Sequence, residues 1–189
     1  MSQKKNVKEL LAESFKELLL ECAFEKITIK MITDRAGVIR PTFYNHFSDK
    51  YEVLEWICYT DIFEAARILI NTDMLVEAVK LLFTKLEVHK DFYTRAVKIE
   101  GQNAFEEIFY QHLVELFEES FKIKGKEIKG HNLLTNHNVS QYYAKGLTFL
   151  IQQWLLAGLP VEAKEVTKSY YDLMSHSLEE IIEGNSSFN

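Results

Sequence analysis

The sequence has few of the residues that interrupt helices or cross-link chains. Among 189 residues there are only 2 prolines and 7 glycines, a combined share of about 5% against roughly 12% in average proteins. This scarcity argues against a fold of many short strands and tight turns. The 2 cysteines, Cys22 and Cys58, are far apart and form no C-x-x-C pair, which argues against a disulfide framework and a cysteine zinc site.

Long apolar runs are missing as well. The N-terminal residues alternate charged and apolar side chains and lack the uninterrupted apolar core of a secretion signal. The most apolar later stretch, from Leu147 to Leu159, is interrupted by Gln152 and Gln153 and is too short to span a bilayer. The sequence therefore predicts a cytoplasmic protein without a membrane-spanning segment.

Charge is distributed unequally along the chain. The whole chain carries −6, but residues 1–50 hold 9 Lys or Arg against 7 Asp or Glu, whereas residues 51–189 hold 13 against 21. The first part is therefore positive and the remainder is strongly acidic. Since salt screens charges beyond about 8 to 10 Å, the acidic remainder does not exclude a nucleic-acid interface in the first 50 residues.

Apolar residues recur at steps of three and four along most of the chain, which is typical of amphipathic helices. The predicted helices cover residues 7–22, 29–36, 41–47, 49–70, 74–89, 92–100, 102–123, 139–157 and 161–182. The polar segment 124–138 is predicted to be a loop, and residues 184–189 are predicted to be frayed. The fold class predicted by this pattern is all-α.

Residues with strong positional preferences mark the ends of the early helices. Thr28 is a good N-cap, and Gly37 can take the left-handed conformation that ends a helix. Pro41 is tolerated in the first turn of the next helix. Ser48 is predicted to cap the long helix that follows.

Residues 28–47 combine a short helix, a glycine turn and a second short helix, which is the geometry of a helix-turn-helix. Phe43 and Phe47 are four residues apart, so both are predicted to point into the core. The opposite face permits close approach to a major groove. Its predicted residues are Pro41, Tyr44, Asn45 and Ser48, with Thr42 on the flank.

The residues of this second helix suit different parts of a DNA duplex. Arg40 can form paired hydrogen bonds with guanine, and Thr42 can contact a base edge or a thymine methyl group. Tyr44, His46 and Lys50 suit phosphate oxygens, which fix the register of the protein on DNA but do not select sequence.

The segment from Thr28 to Lys50 resembles the DNA-binding signature of TetR-type bacterial regulators. The matching residues are Ala36-Gly37-Val38, Thr42-Phe43-Tyr44, His46-Phe47 and Lys50. The resemblance implies a DNA surface made of Thr28, Arg40, Pro41, Thr42, Tyr44, Asn45, His46 and Lys50. Ile39 departs from the family, in which a small polar capping residue is common. Residues 54–57 and 154–158 are similar to the subgroup that contains the dihydroxyacetone-kinase regulators.

The same resemblance implies a homodimer joined by the last two long helices. The dimer would bind a near-palindromic operator of double-stranded DNA. The sequence independently favours an interface, because helix 139–157 is more apolar all round than a surface helix. The predicted interface residues are Tyr143, Gly146, Leu147, Leu150, Trp154, Tyr171 and Met174. An ordinary internal core helix is the alternative.

The resemblance also implies two regions, a three-helix DNA-binding head at residues 1–64 and a helical effector-binding and dimerisation domain at 65–189. In the family a ligand in the second region pulls the two DNA-binding heads of the dimer out of register with the grooves of the DNA. The aromatic residues predicted to line such a cavity are Phe63, Phe83, Tyr93, Phe105, Phe109 and Phe149. Packing as ordinary core is the alternative for them. The effector is an unidentified small molecule or a protein coregulator.

The predicted function is sequence-specific transcriptional regulation, with repression as the default. A helical protein-interaction adaptor, an activator that works with a coregulator, and a small helical enzyme are the alternatives. No catalytic residue, cofactor or metal site is predicted. Gly125 and Gly130 have the first spacing of a phosphate-binding loop, but His131-Asn132 stands where Lys-Ser/Thr is required. His131 and His137 are predicted to be solvated loop residues.

Overall fold

The computed structural model describes residues 6–101, 104–129 and 133–183, and the regular structure within these segments is entirely helical. The predicted all-α fold is confirmed. The helices are α1 (Val7–Glu21), α2 (Ile29–Ala36), α3 (Arg40–Tyr44), α4 (Lys50–Cys58), α5 (Glu64–Asn71), α6 (Leu75–Val88), α7 (Lys90–Ala96), α8 (Phe105–Ile123), α9 (Asn136–Leu156), α10 (Ala163–Ser175) and α11 (Leu178–Ile182). A 3₁₀ turn, Phe24–Lys26, precedes α2, and a π-helical segment, Tyr59–Phe63, joins α4 to α5.

Some predicted features fall outside the described residues. These are the predicted helix start at Gln102, the loop residues Gly130, His131 and Asn132, and the frayed end at 184–189.

The ends of α2 follow the predicted capping residues. The Met31 N–H donates to Thr28 Oγ1 over 3.2 Å, which satisfies one of the unpaired donors of the first turn. The helix stops at Gly37, whose φ of 69° lies in the left-handed region that glycine adopts without a steric penalty.

The predicted cap of the next long helix is wrong by one residue. Asp49, and not Ser48, is the N-cap of α4, because its carboxylate accepts hydrogen bonds from the Tyr51 and Glu52 N–H groups at 2.7 and 3.0 Å. Ser48 is exposed one position earlier, where its backbone N–H donates to the Glu52 carboxylate.

The segment predicted as one helix over 49–70 is continuous but contains the π-helical turn between α4 and α5. At this turn the Thr60 hydroxyl donates to the carbonyl oxygens of Trp56 and Ile57, 2.8 and 3.3 Å away. Such back-bonding by threonine is a known cause of local helix distortion. The resulting rod runs from the head into the rest of the chain.

The π-helical turn is also where α1 meets the helices that follow α5, that is α6 to α11, which we call the body. The Lys16 ammonium on α1 pairs with the Asp61 carboxylate at 2.7 Å. The hydroxyl of the buried Tyr93, on α7, lies 3.5 Å from the same carboxylate oxygen. One hydrophobic core extends without interruption from the head to this body.

In the body, α9 packs along α8, and α10 packs against α6. The loop predicted at 124–138 is shorter than expected, because Thr135 caps α9 and the helix begins at Asn136. The last predicted helix, 161–182, is interrupted at His176, and a capping box at Ser177 begins α11.

None of the described helices is long and apolar enough to cross a membrane. Within the described segments, no three His, Cys, Asp or Glu side chains come together as a group that could hold a metal ion.

Candidate nucleic-acid interface

The candidate interface begins with the turn between α2 and α3. After Gly37, the Val38 N–H donates back to the Thr33 carbonyl at 3.0 Å, which closes the end of α2. Thr33 itself is buried. The turn therefore holds α3 in a fixed direction relative to α2, as a helix-turn-helix requires.

An aromatic pair anchors α3 and the turn after it. Phe43 and Phe47 are 0% and 1% exposed, and their ring centroids are 5.8 Å apart, as the spacing predicts. Phe47 packs edge-on against Trp56 of α4 at 6.1 Å. The Lys8 ammonium of α1 lies over both the Phe47 and the Trp56 rings at 5.0 and 5.5 Å. Burial of this face leaves the opposite face of α3 free.

Four of the predicted DNA-contact residues lie close together on the free face of α3. Arg40, Pro41, Tyr44 and Asn45 are exposed. Arg40 donates from Nη2 to the Tyr44 hydroxyl at 3.0 Å, and its guanidinium carbon lies 5.6 Å from the Tyr44 ring centre. This contact orders the guanidinium at the first turn of α3, so fewer side-chain rotamers must be lost when it meets a base.

The remaining predicted contacts sit at the edges of this face. Thr42 and His46 are half-buried, on the flanks of α3 and of the turn that follows it. Thr28 is exposed at the start of α2, where its oxygen already serves as the cap. Its hydroxyl hydrogen can still be donated to a phosphate oxygen.

Ile39 is the residue that departs from the family pattern, and its apolar side chain leaves α3 without a side-chain cap. It occupies the N-cap position of α3 and makes no side-chain capping hydrogen bond. The side chain is 71% exposed beside Arg40. The departure is visible in the sequence, whereas the exposure of this side chain at the edge of the reading face is not.

Lys50 differs most from its predicted role. Its ammonium is half-buried and donates to the carbonyl oxygens of Phe24 and Ile27, 2.7 and 3.1 Å away, over the Phe24 ring. Burial lowers the pKa of the Lys50 ammonium. Two of its three N–H donors thus tie α4 to the segment before α2, and the side chain does not project freely toward a phosphate as the sequence suggested.

We expect Lys50→Met to lower the free energy of unfolding by about 1 to 3 kcal/mol, because hydrogen bonds from a charged donor to two carbonyls are lost. Urea denaturation measures this loss. Lys30→Met is the matched control, since Lys30 is 79% exposed and pairs with Asp34 on its own helix. An unchanged stability of Lys50→Met, combined with a flatter salt dependence of DNA binding, would restore its phosphate role.

The predicted cavity residues are placed differently from one another. Phe63, Tyr93, Phe105 and Phe109 are buried and pack ring against ring. Phe83 is buried against Trp154 at 5.6 Å. Phe149 is 61% exposed on α9. An apolar cavity of about 350 Å³ does lie between α6, α8, α9 and α10, but none of these six residues lines it.

The predicted interface residues also divide into two groups. Leu147 and Trp154 are buried in the protomer, where the Trp154 indole donates to the Val161 carbonyl at 2.9 Å. Leu150 is half-buried, and the Tyr171 hydroxyl is bonded to the Val76 carbonyl at 3.0 Å. The exposed members are Tyr143, Gly146 and Met174. The predicted placement of Leu147 and Trp154 at the interface is corrected, because their side of α9 faces the core of the protomer.

An outward stripe on α9 contains Gly146 of the predicted interface, together with four residues that were not predicted to lie there. Tyr142, Phe149 and Leu156 are 73%, 61% and 51% exposed. With Gly146 and Gln153 they follow steps of three and four, so they share one face of the helix. We call these five residues the α9 stripe. The apolar, all-round composition of α9 was the signal, but it did not indicate which face is outward.

Known proteins share both parts of this architecture. Residues 73–176 match the family model of a transcriptional regulator C-terminal region, and residues 16–57 match that of bacterial regulatory proteins of the tetR family. The HTH-type dhaKLM operon transcriptional activator DhaS of Lactococcus lactis subsp. lactis (strain IL1403) is 25% identical over 167 residues, which cover 86% of this chain and 87% of that protein.

Solved structures show the same fold. The dihydroxyacetone kinase operon activator DhaS superposes with a TM-score of 0.63 at 21% identity, over 89% of this chain and 94% of its own. The fatty acid degradation regulator FadR from Bacillus halodurans superposes with a TM-score of 0.61 at 17% identity, over 94% and 98%. Since the C-terminal family model alone spans more than half of the chain, the protein belongs to the TetR family of DNA-binding bacterial transcriptional regulators.

Proposed function

We propose that the protein binds a near-palindromic operator as a homodimer and represses transcription until an effector binds the body and releases it. The observation that carries the proposal is the structure of α3. Its aromatic anchor is buried, and its polar face, led by Arg40 and Tyr44, is open. Two such helices in a symmetric dimer would enter successive major grooves about 34 Å apart.

The α9 stripe supports the homodimer. Gly146 lies inside a 21-residue helix, where glycine costs about 1 kcal/mol relative to alanine. A Cβ atom added at Gly146 would meet no atom within 4 Å, so packing within the protomer does not require glycine. Close approach of a partner helix does, and the flanking Tyr142 and Phe149 supply apolar surface for it.

Arg40 provides the direct test of the DNA-binding face. With a duplex selected from a randomised pool, we expect Arg40→Ala to weaken binding by about 1 to 3 kcal/mol and to relax the preference at one base position per half-site. Lys30→Ala, an exposed cation on α2, is the control and should affect all sequences alike. Undiminished operator discrimination by Arg40→Ala would remove Arg40 from the base contacts.

Activation is the second candidate, and one observation favours it. The Lactococcus lactis relative is described as a transcriptional activator. A reporter gene placed behind the selected operator distinguishes the two modes, because deletion of the regulator raises expression under repression and lowers it under activation. Operator binding explains the candidate site without any catalytic residue, so we propose no enzymatic activity. We also propose a cytoplasmic location, where a DNA operator is accessible.

A further inference from the structure

Ile39 is an apolar side chain at a position that usually holds a polar one. It occupies the N-cap position of α3, where Ser, Thr, Asp and Asn are strongly preferred and isoleucine is among the least favoured residues. The side chain is 71% exposed, whereas Val38, the residue before it, packs against the hydrophobic core. Exposure of this kind means that the core of the protomer does not require an apolar residue at position 39.

The first turn of α3 tolerates a side chain without a capping group. The Thr42 N–H donates to the Ile39 carbonyl oxygen at 2.9 Å, and any residue at position 39 supplies this carbonyl. Pro41, in the same turn, has no N–H group that a cap could satisfy. The Ile39 side chain is therefore available for a contact outside the protomer.

Ile39 lies at the part of the helix-turn-helix that meets the bases. In such motifs the N-terminal residues of the second helix contact base edges in the major groove. Ile39 directly precedes Arg40, whose guanidinium is held at the first turn of α3 by the Tyr44 hydroxyl. Adjacent Cα atoms are about 3.8 Å apart and successive base pairs about 3.4 Å apart, so the two side chains can reach neighbouring base pairs.

The chemistry of isoleucine restricts what it can recognise there. Its side chain has no hydrogen-bond donor or acceptor, so it can bond neither to a phosphate oxygen nor to the polar groups of the base edges. The apolar group that DNA displays in the major groove is the C5-methyl group of thymine. A branched hydrocarbon side chain beside an arginine that reads a base is complementary to that methyl group.

We propose that Ile39 is a specificity-determining residue that contacts a thymine methyl group at the base pair next to the one read by Arg40. This assignment rests on the proposed function, in which α3 enters the major groove, and adds a base preference to it. Burial of one methyl group should contribute a factor of about 3 to 5 in affinity at each half-site.

Duplexes that differ only in methyl groups test the proposal with the full-length wild-type protein. An operator is selected from a randomised pool, and deoxyuridine, which lacks the methyl group of thymidine, replaces each thymine of the half-sites in turn, in both halves at once. At one position the dissociation constant measured by fluorescence anisotropy should rise about 10- to 25-fold. Deoxyuridine outside the half-sites is the control and should leave binding unchanged.

Two variants separate the contact with DNA from effects on folding. Ile39→Ala should bind the thymine and deoxyuridine duplexes of that position within about 2-fold of each other. Ile68→Ala removes the same atoms from a 63% exposed isoleucine on α5 and should keep the full difference. Because both side chains are exposed, both variants should unfold at the urea concentration of the wild-type protein.

Three results would overturn the proposal while operator binding itself remains intact. One is a wild-type protein that binds every deoxyuridine duplex as tightly as the thymine duplex. Another is Ile39→Ala that keeps all the differences of the wild-type protein. The third is a sensitive thymine that is not adjacent to the base pair at which Arg40→Ala relaxes the preference. If the wild-type protein binds no selected duplex, the proposed function fails and the role of Ile39 fails with it.

Discussion

Phe149→Glu is expected to convert the proposed dimer into folded monomers. Phe149 is 61% exposed at the middle of the α9 stripe, so a charge there does not disturb the protomer. In a dimer it would bury an unpaired carboxylate against a symmetric copy of itself, at a cost of about 3 to 5 kcal/mol. The dimer dissociation constant should rise at least about 100-fold, which sedimentation velocity detects.

The controls separate this surface from the core. Ile68→Glu places the same charge at another exposed apolar position and should leave the oligomeric state unchanged. Trp154→Glu, five residues from Phe149 but buried against Phe83, should unfold the body instead of yielding folded monomers. A Phe149→Glu protein that sediments as a dimer of wild-type strength would exclude the α9 stripe as the interface.

Phe43→Ala should destabilise the protein by about 3 to 5 kcal/mol, the usual cost of deleting a fully buried phenylalanine. The space left by the missing ring would lie directly beneath α3. This helix has only 5 residues, and no side-chain N-cap stabilises its first turn. Operator binding should therefore be lost together with stability. Urea denaturation and fluorescence anisotropy with a labelled operator measure the two effects.

Tyr44 provides the matched comparison for Phe43, since the two rings are neighbours in sequence and in space. Tyr44 is 49% exposed, so Tyr44→Ala should change stability by less than about 1 kcal/mol while weakening operator binding. Equal losses of stability in the two variants would contradict the division of α3 into a buried face and a reading face.

The sequence predicted the head in detail because local rules act there. Gly37 must end a helix, and the spacing of Phe43 and Phe47 identifies the buried side of α3. The error at Ser48 has a local reason too. Serine and aspartate are both good N-caps, and only the backbone course shows that Asp49 reaches the two free N–H groups.

The body was predicted less well because its details depend on tertiary packing. Because α9 is apolar on all sides, its sequence does not show that Trp154 faces the core and Phe149 faces outward. Docking on α8 makes that choice. Likewise, abundant aromatic residues predict a cavity poorly, since large rings such as Phe105 and Phe109 fill space by stacking at 4.2 Å.

The role of Lys50 also depends on distant residues. Its two carbonyl partners, on Phe24 and Ile27, precede it by 26 and 23 positions. No local pattern connects these positions, so the side chain was assigned from its residue type and from the family resemblance, neither of which contains these contacts. A lysine beside a helix-turn-helix is a reasonable phosphate ligand until the fold shows where its ammonium lies.

The junction at the π-helical turn restricts how such regulators can be recombined. Lys16 comes from the first helix, Asp61 from the rod and Tyr93 from the body, yet their polar groups meet at one carboxylate oxygen. A chimera that joins this head to a relative's body at residue 64 would keep the first two and replace the third. Exchange of reading specificity between family members is therefore simplest when the donor body carries a hydroxyl at the position of Tyr93.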